Sequence, residues 1–380
     1  MKGILWVKKL GRWARSSPKT RSTLLPPRRR LELERLETRE LLSGPGTFYV
    51  HPGESIQATV DAAPAGSTIF IEPGTYTEAI SIAKPGLHLI GLAGPGNSEP
   101  VIENPGSADT GITVASPSPG STLNGFVLQN LIVRDFLENG VLLAGVNHFV
   151  ISNVQAINNG EYGLFPIFSV FGLIANCTAQ GSNDTGIYVG ESSQILLTHN
   201  LVFDNVNGLE IENSSFVVAA GNVSRDNTVG ILEDLLPGLT IETSAFNVIA
   251  NNIVVHNNRP NTAAAGDVAA AEPSGIGILM VGGSYNVTIG NFVSQNGYAG
   301  IVLVSGVTLI ELAGLDPGAY GSIDPNPEHT FIGYNIVKGN GLLFSYAGLP
   351  PGADLLWDET GTDNHWRHNL FDTSFPALFP

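Results

Sequence analysis

Gly186-Ile-Tyr-Val-Gly-Glu-Ser-Ser-Gln-Ile-Leu-Leu-Thr-His-Asn-Leu-Val-Phe-Asp-Asn-Val-Asn-Gly208-Leu-Glu-Ile is one full period of a repeat that organises most of the chain. A glycine followed by an apolar triplet opens the period, and the same opening stands at Gly140, Gly163, Gly186, Gly208 and Gly230, spaced 23, 23, 22 and 22 residues apart. After an interruption it returns at Gly277 and Gly300. Two polar landmarks run alongside. One is Asn153, Asn176, Asn200, Asn222, Asn252 and Asn291, each followed by an apolar residue or Cys. The other comprises Asn158-Asn159, Asn183-Asp184, Asp204-Asn205, Asp226-Asn227, Asn257-Asn258 and Gln295-Asn296. Between the landmarks lie strand-length apolar runs such as Gln194-Ile-Leu-Leu-Thr198 and Ser215-Phe-Val-Val-Ala219, with no helix-length amphipathic pattern.

Self-similarity at this period, with two or three short strands per unit and Asn/Gly/Asp corners, predicts a solenoid in which each unit is one coil. The expected fold is all-β, a single-stranded right-handed parallel β-helix with a short capping helix at its N-terminal end. Stacked in register, equivalent residues lie about 4.8 Å apart. Asn suits the corners because it tolerates a left-handed backbone and bonds its neighbours. Val154, Cys177, Leu201 and Val223 are expected to form one inward apolar ladder, which makes Cys177 a buried small hydrophobe rather than a reactive thiol.

The chain has 380 residues, of which 43% are hydrophobic and 14% charged, with 45 Gly, 24 Pro and one Cys. That is too apolar for a disordered chain, and one cysteine excludes a disulfide framework or a Cys-based zinc site. Charge is uneven: residues 1–40 hold 12 of the 18 Lys+Arg and 4 of the 34 Asp+Glu, leaving 6 basic and 30 acidic side chains beyond, a net of −24. A body so acidic lacks the basic footprint that nucleic acid or an anionic membrane requires. The basic start has only Ile4-Leu5-Trp6-Val7 as an apolar run, too short for a signal-peptide core or a membrane span. Residues 1–44 are therefore set apart from the fold, as a disordered or short helical leader, and residues 45–380 are assigned to the solenoid. It is expected to be a monomer with no transmembrane segment.

Gly53 to Ala63 reads as the capping helix, with Ile56, Val60 and Ala63 on one face. Three insertions break the period: 232–246, an Ala/Pro-rich and mobile 259–275, and a long Gly/Pro/Asp loop at 307–330. The stretch from about 341, with Trp357, Trp366 and several Phe, is expected to plug the far end.

Two resemblances extend this reading. Ser55-Ile-Gln-x-x-Val-Asp-Ala-Ala-Pro-x-Gly-Ser-Thr-Ile-x-Ile-x-Pro-Gly-Thr-Tyr-x-Glu78 resembles the opening of right-handed parallel β-helix proteins of the pectate-lyase-like superfamily. The units around Gly163, Gly186, Gly208 and Gly230 resemble a bacterial subfamily of parallel β-helix-repeat proteins without an established activity. This implies the fold across most of residues 48–375; function is implied only loosely, because the fold hosts lyases, hydrolases, esterases, epimerases and inert surface proteins. The active-site segments of pectinesterases, polygalacturonase-like hydrolases and pectate lyases are not found, so Gly74 to Glu78 reads as a first-coil turn. Leu36-Glu37-Thr38-Arg39-Glu40-Leu41-Leu42-Ser43 resembles the export segment of many planctomycete proteins, with Thr38 where Pro is usual. That resemblance implies an extracellular or cell-surface location.

Chemistry is expected on the outward face of the central coils. Alternation turns Leu209 and Ile211 inward and Glu210 and Glu212 outward. One coil earlier the outward row holds Tyr188 and Gly190, followed by Glu191; one coil later it holds Leu232 and Asp234. Glu212 should therefore stack beside Asp234, and two carboxylates that close repel by roughly 3–4 kcal/mol at an effective dielectric of about 20. They must splay apart, share a proton, or bind a cation, for which Glu212 and Asp234 would suit calcium. A raised carboxylate pKa would suit acid/base work on a sugar, which makes Glu210, Glu212 and Asp234 catalytic candidates. Gly190 is expected to leave open space in front of the row. Tyr188, Phe165 and Glu191 are the substrate-binding candidates, with the two rings available to stack on sugar. Arg225 is a catalytic candidate as a rare cation, against the plainer reading that it pairs with Asp204 or Asp226. His199 reads as a corner residue, and His365 with His368 as an isolated pair.

The function expected is binding or modification of extracellular polysaccharide, lyase-, epimerase- or hydrolase-like. The alternative is a non-catalytic structural or adhesive surface solenoid. The two differ in a visible way: an enzyme should show the acid row in a groove walled by the insertions, a structural protein should show it flat and open.

Overall fold

A computed structural model describes residues 44–118 and 120–377. The export-like segment at 36–43 lies outside the described residues. The chain winds into a solenoid whose strands pair in parallel with those of the preceding and following coils. One sheet has 11 strands, running from Ile80–Ile82 to Ser374–Phe375, and the other two faces merge into a continuous sheet of 22. A typical coil runs Thr185–Gly190, Ser193–Thr198 and Leu201–Phe203, with a sharp corner after each.

The repeat glycines stack as expected. Val141, Leu164, Ile187, Leu209, Ile231, Ile278, Ile301 and Leu355, each next after the repeat glycine or its equivalent, form one fully buried column. Glycine is required at the neighbouring position because of close approach. A Cβ on Gly163, Gly186, Gly208 or Gly230 would lie 2.4, 2.9, 2.5 or 2.5 Å from the carbonyl oxygen of the glycine one coil on.

The asparagine landmarks resolve into two different columns, and this corrects the expected ladder. Asn153, Asn176, His199 and Asn251 occupy a left-handed corner column with φ between 53° and 55°. The next residue in each coil points inward. That inward column is Val154, Cys177, Asn200, Asn222, Asn252, Asn291 and Asn335, so Leu201 and Val223 fall one position later and face outward, half-buried. The slip entered at the one 24-residue interval, Asn176 to Asn200.

Inside, each Asn satisfies the next coil. Asn200 donates both its backbone N–H and its Nδ2 to Asn222 Oδ1, each at 3.0 Å, and Asn222 does the same to Asn252 Oδ1 at 2.9 and 3.0 Å. A second ladder runs Asn205, Asn227, Asn257, Asn296 and Asn340 to Asp354. Corner N–H groups that no strand can pair are thereby satisfied within the core. Cys177 is 2% exposed, and burial pushes its thiol up to about 12.

The capping helix is Ile56–Ala62, with Ser55 at its N-cap. Glu78 accepts from the Ile56 and Gln57 N–H groups at 2.6 and 3.1 Å and from the Ser55 hydroxyl at 2.8 Å, which ties it to the helix start. The expected turn at Gly74 to Glu78 is instead mostly a strand, Thr75–Thr77, paired with Val101–Glu103. At the other end, the expected plug from 341 is instead a flap followed by more solenoid. Ala353–Trp357, His365–Arg367, Leu370–Phe371 and Ser374–Phe375 extend the existing sheets.

The insertions depart from their expected character. Val229–Asp234 remains a strand, so the first insertion starts after Asp234. The segment 259–275 is braced rather than loose: Asn261 Nδ2 donates to the carbonyls of Ala269 and Glu272 at 2.7 and 3.0 Å. The third insertion contains a helix, Gly306–Leu312, N-capped by Ser305, and a 3-10 turn, Pro317–Tyr320. All three fold back over the outer face of the 11-stranded sheet. That face is apolar from Leu232 onward: Leu279, Val281, Val302 and Leu356 are buried beneath Leu309, Leu349 and Phe344. Water-exposed, such a surface would cost about 1.5–3 kcal/mol per large side chain, which is what draws the insertions down.

Candidate functional site

At the edge of this cover the outward row meets its acids. The register is the expected one: Tyr188 pairs with Glu210 and Gly190 with Glu212, then Glu210 with Leu232 and Glu212 with Asp234. The acids are not solvated. Glu210 is 6% exposed and Asp234 1%. They line a cavity of about 280 Å³ whose walls come from all three insertions: Leu236, Pro237 and Leu239; Asp267, Val268, Ala269 and Glu272; Ile310, Leu315, Asp316 and Ala319. Tyr162, Phe165 and Tyr188 close one side, their ring centroids 4.5–5.0 Å apart.

Oxygens of Glu210, Glu212 and Asp234 lie within 4.8 Å of one another. Thr185 donates its hydroxyl to Glu210 Oε2, and Tyr188 donates its hydroxyl to Glu212 Oε2. Asp234 Oδ1 is buried without a hydrogen-bond partner. Burial, and then the charge of Asp184, raise Glu210 and Glu212 to about 8. Burial, followed by Glu212 and Glu210, holds Asp234 well above the usual carboxylate range. The three oxygens have the donor type and spacing to surround one divalent cation. The same crowding equally favours a shared proton.

The other sequence candidates separate. Phe165 and Tyr188 are at the site, but the space in front of Gly190 is filled by the Tyr188 ring itself. A Cβ on Gly190 would lie 2.3 Å from Tyr188 Cε1. Glu191 lines the cavity, yet its Oε1 is engaged by the N–H groups of Thr240 and Ile241 at 2.5 and 2.9 Å, fastening the first insertion. Arg225 is elsewhere. It sits on the larger sheet, paired with Asp226 and 4.5 Å over the Phe203 ring. His199 is a left-handed corner residue, and His368 stacks on Tyr334 with centroids 4.9 Å apart.

Sequence reasoning missed three lining residues. Asp184 precedes its strand, and burial raises it to about 6. Tyr162 stands before a repeat glycine. Glu272 arrives from the second insertion; Asn207 Nδ2 reaches Glu272 Oε1 and Glu210 Oε2, both at 3.3 Å, while Glu272 Oε2 has no partner. Its one signal was an isolated carboxylate within Val-Ala-Ala-Ala-Glu272-Pro. Glu233 was also passed over. It points inward, fully buried, and Ser244 Oγ and Asn286 Nδ2 donate to its Oε1 at 2.6 and 2.8 Å.

Residues 119–291 match the family model described as "Right handed beta helix region". The chain is a right-handed parallel β-helix. Among solved structures it is similar to the A-module of the Azotobacter vinelandii mannuronan C-5 epimerase AlgE4, with 18% identity and a TM-score of 0.58 over 83% of this chain and 90% of that one. It is similar also to a DFA-IIIase from Arthrobacter chlorophenolicus A6 without its lid, in complex with GF2, with 11% identity and a TM-score of 0.54 over 86% and 98% of the two chains. The periplasmic alginate epimerase AlgG shares 13% identity and a TM-score of 0.53 over 85% and 83%. No curated protein sequence matches the chain. At these identities the likeness is one of fold. Among the described residues no helix is long and apolar enough to cross a membrane.

Proposed function

We propose that this protein is an exported enzyme that binds a polysaccharide segment in the cavity and hydrolyses it, with carboxyl groups as proton donor and acceptor. The observation that carries this reading is the roofed acid row: three separate insertions converge to enclose it beside an aromatic wall. A structural or adhesive solenoid gives no reason to bury acids at such cost. Neighbours of the same fold described as acting on mannuronan or alginate agree with a carbohydrate partner. Export rests on the resemblance of residues 36–43, and the epimerase AlgG is described as periplasmic.

The site divides the labour. Asp234, buried and without a hydrogen-bond partner, is kept neutral and serves as proton donor. Glu212 is raised to about 8, so it serves as proton acceptor in the fraction that ionises, a form the Tyr188 hydroxyl supports, and this share grows as pH rises toward 8. In glycoside hydrolysis Asp234 would give its proton to the glycosidic oxygen as the C–O bond breaks, and ionised Glu212 would take a proton from the water that adds to the sugar carbon. A proton passing from Glu212 to Asp234 then resets the pair. Proton abstraction from a uronate, as a lyase or epimerase requires, builds negative charge that needs a positive neighbour, and among the described residues the cavity lining contains no Lys, Arg or His.

The test is a screen of polysaccharides for new reducing ends and for unsaturated uronate, with Asp234→Asn, Glu212→Gln and Glu210→Gln beside the wild type. Reducing ends from the wild type, lost in the first two variants while circular dichroism is unchanged, support the proposal. Unsaturated product would move the reaction to a lyase, and equal activity in all four proteins would remove the chemistry from this cavity.

A further inference from the structure

The cavity is unbalanced in charge. Asp184, Glu210 and Glu272 meet at its aromatic end, Glu210 and Glu272 on the same Asn207 amide, and Asp184 beside Tyr162. Glu272 is 4% exposed, with Oε2 unpartnered. Among the described residues no cationic side chain lines the cavity to answer these carboxyls. The proton donor and acceptor assigned above do not include them, so they are free to recognise a ligand.

We infer that this end of the cavity binds a positively charged sugar, an amino-sugar residue of a polysaccharide whose amine is not acylated. Three features converge. An ammonium group brings three N–H donors, one of which can serve the unpartnered Glu272 Oε2, and its charge lets buried carboxyls ionise. Tyr162, Phe165 and Tyr188 give the site aromatic surface of the kind that attracts organic cations. The insertions also bring Leu236, Leu239, Val268 and Ile310 over the cavity, beside Asp267 and Asp316, and these apolar side chains suit the carbon skeleton of a sugar. The solenoid's net charge of −24 beyond residue 40 would also draw a polycation toward it.

This inference rests on the carbohydrate reading, so the test is built to separate the two. Isothermal titration of the full chain would compare a glucosamine hexamer, the matching N-acetylglucosamine hexamer, an oligogalacturonate and calcium chloride at mildly acidic pH. The glucosamine oligomer is expected to bind at least about tenfold more tightly than its acetylated twin. Glu272→Gln and Asp184→Asn should each shrink that ratio while leaving the weak binding of the acetylated oligomer in place; two variants guard against one misfolding. Equal affinities, or tighter binding of the acetylated oligomer or the galacturonate, overturn the inference and leave the carbohydrate reading intact. Calcium binding that both variants abolish, without any preference for the amine, also overturns it and assigns the cluster to a metal. No binding by any oligomer sinks both.

Discussion

Tyr188 leans across Gly190 and places its hydroxyl on Glu212 of the following coil. One missing side chain thus lets an aromatic ring cross from one outward column to the next and arm a carboxylate there. The acid of this contact was legible in the strand alternation. The route to it was not, because Gly190 looked like vacant space.

Gly190→Ala should therefore act through Tyr188. The new Cβ would sit 2.3 Å from the ring, so the ring must leave and Glu212 loses its donor. We expect a cost of roughly 1–3 kcal/mol in denaturant unfolding and a loss of activity close to that of Tyr188→Phe. If Gly190→Ala keeps full activity while Tyr188→Phe does not, the two residues are not coupled in this way.

Glu233 makes stability fall with pH. Burial raises its pKa from 4.5 to about 8, so the folded protein holds a proton that the unfolded chain releases earlier. Its contribution is complete below about pH 4.5 and is lost progressively toward pH 8, by an amount on the order of a few kcal/mol. Glu233→Gln keeps an oxygen for Ser244 and Asn286 and cannot ionise. It should be near neutral in acid and stabilising above pH 8, as read by urea unfolding across that range. A variant as pH-sensitive as the wild type over the whole range would place the titrating group elsewhere.

The repeat made the solenoid readable because period, glycine and corner asparagine all follow from stacking one coil on the next. Local alternation then put Glu210, Glu212 and Asp234 on one face. What escaped depends on contacts between distant segments. Residues 307–330 read as a Gly/Pro/Asp loop, yet Gly306–Leu312 forms a helix because Ser305 caps it and the sheet below takes up Leu309 and Ile310. Glu272 reaches Asn207 across 65 residues, a distance no periodicity encodes. Arg225 seemed valuable for its rarity, yet a neighbouring aspartate and an aromatic ring account for it fully.

The asparagine ladder should behave as one unit. Asn227 receives both the N–H and the Nδ2 of Asn205 at 3.0 Å and passes its own N–H and Nδ2 to Asn257 at 3.1 and 3.0 Å. Asn227→Ala strands the buried N–H and one Nδ2 hydrogen of Asn205, while the backbone N–H of residue 227 still serves Asn257 Oδ1. We expect a loss of roughly 3 kcal/mol or more, well beyond that of an exposed asparagine such as Asn183→Ala. Equal midpoints for the two variants in denaturant would show that water replaces the ladder.

Glu191 is the latch on the cavity roof. Its carboxylate receives two backbone N–H groups from residues 240 and 241, and Asn213 holds the same segment from below through Leu236 and the Ile241 carbonyl. Hydrogen bonds to a charged group contribute roughly 1.5–3 kcal/mol, so Glu191→Ala should free the segment carrying Leu236, Pro237 and Leu239 without disturbing the coils beneath. Hydrogen exchange should rise across 235–243 and stay unchanged in Val229–Asp234. For an enzyme that closes over a sugar chain, KM should rise severalfold while kcat changes less, because the acid and base remain in place. Unchanged exchange in the segment would mean that Asn213 and the apolar contacts suffice to hold the roof down, and Glu191 would then be available to the ligand after all.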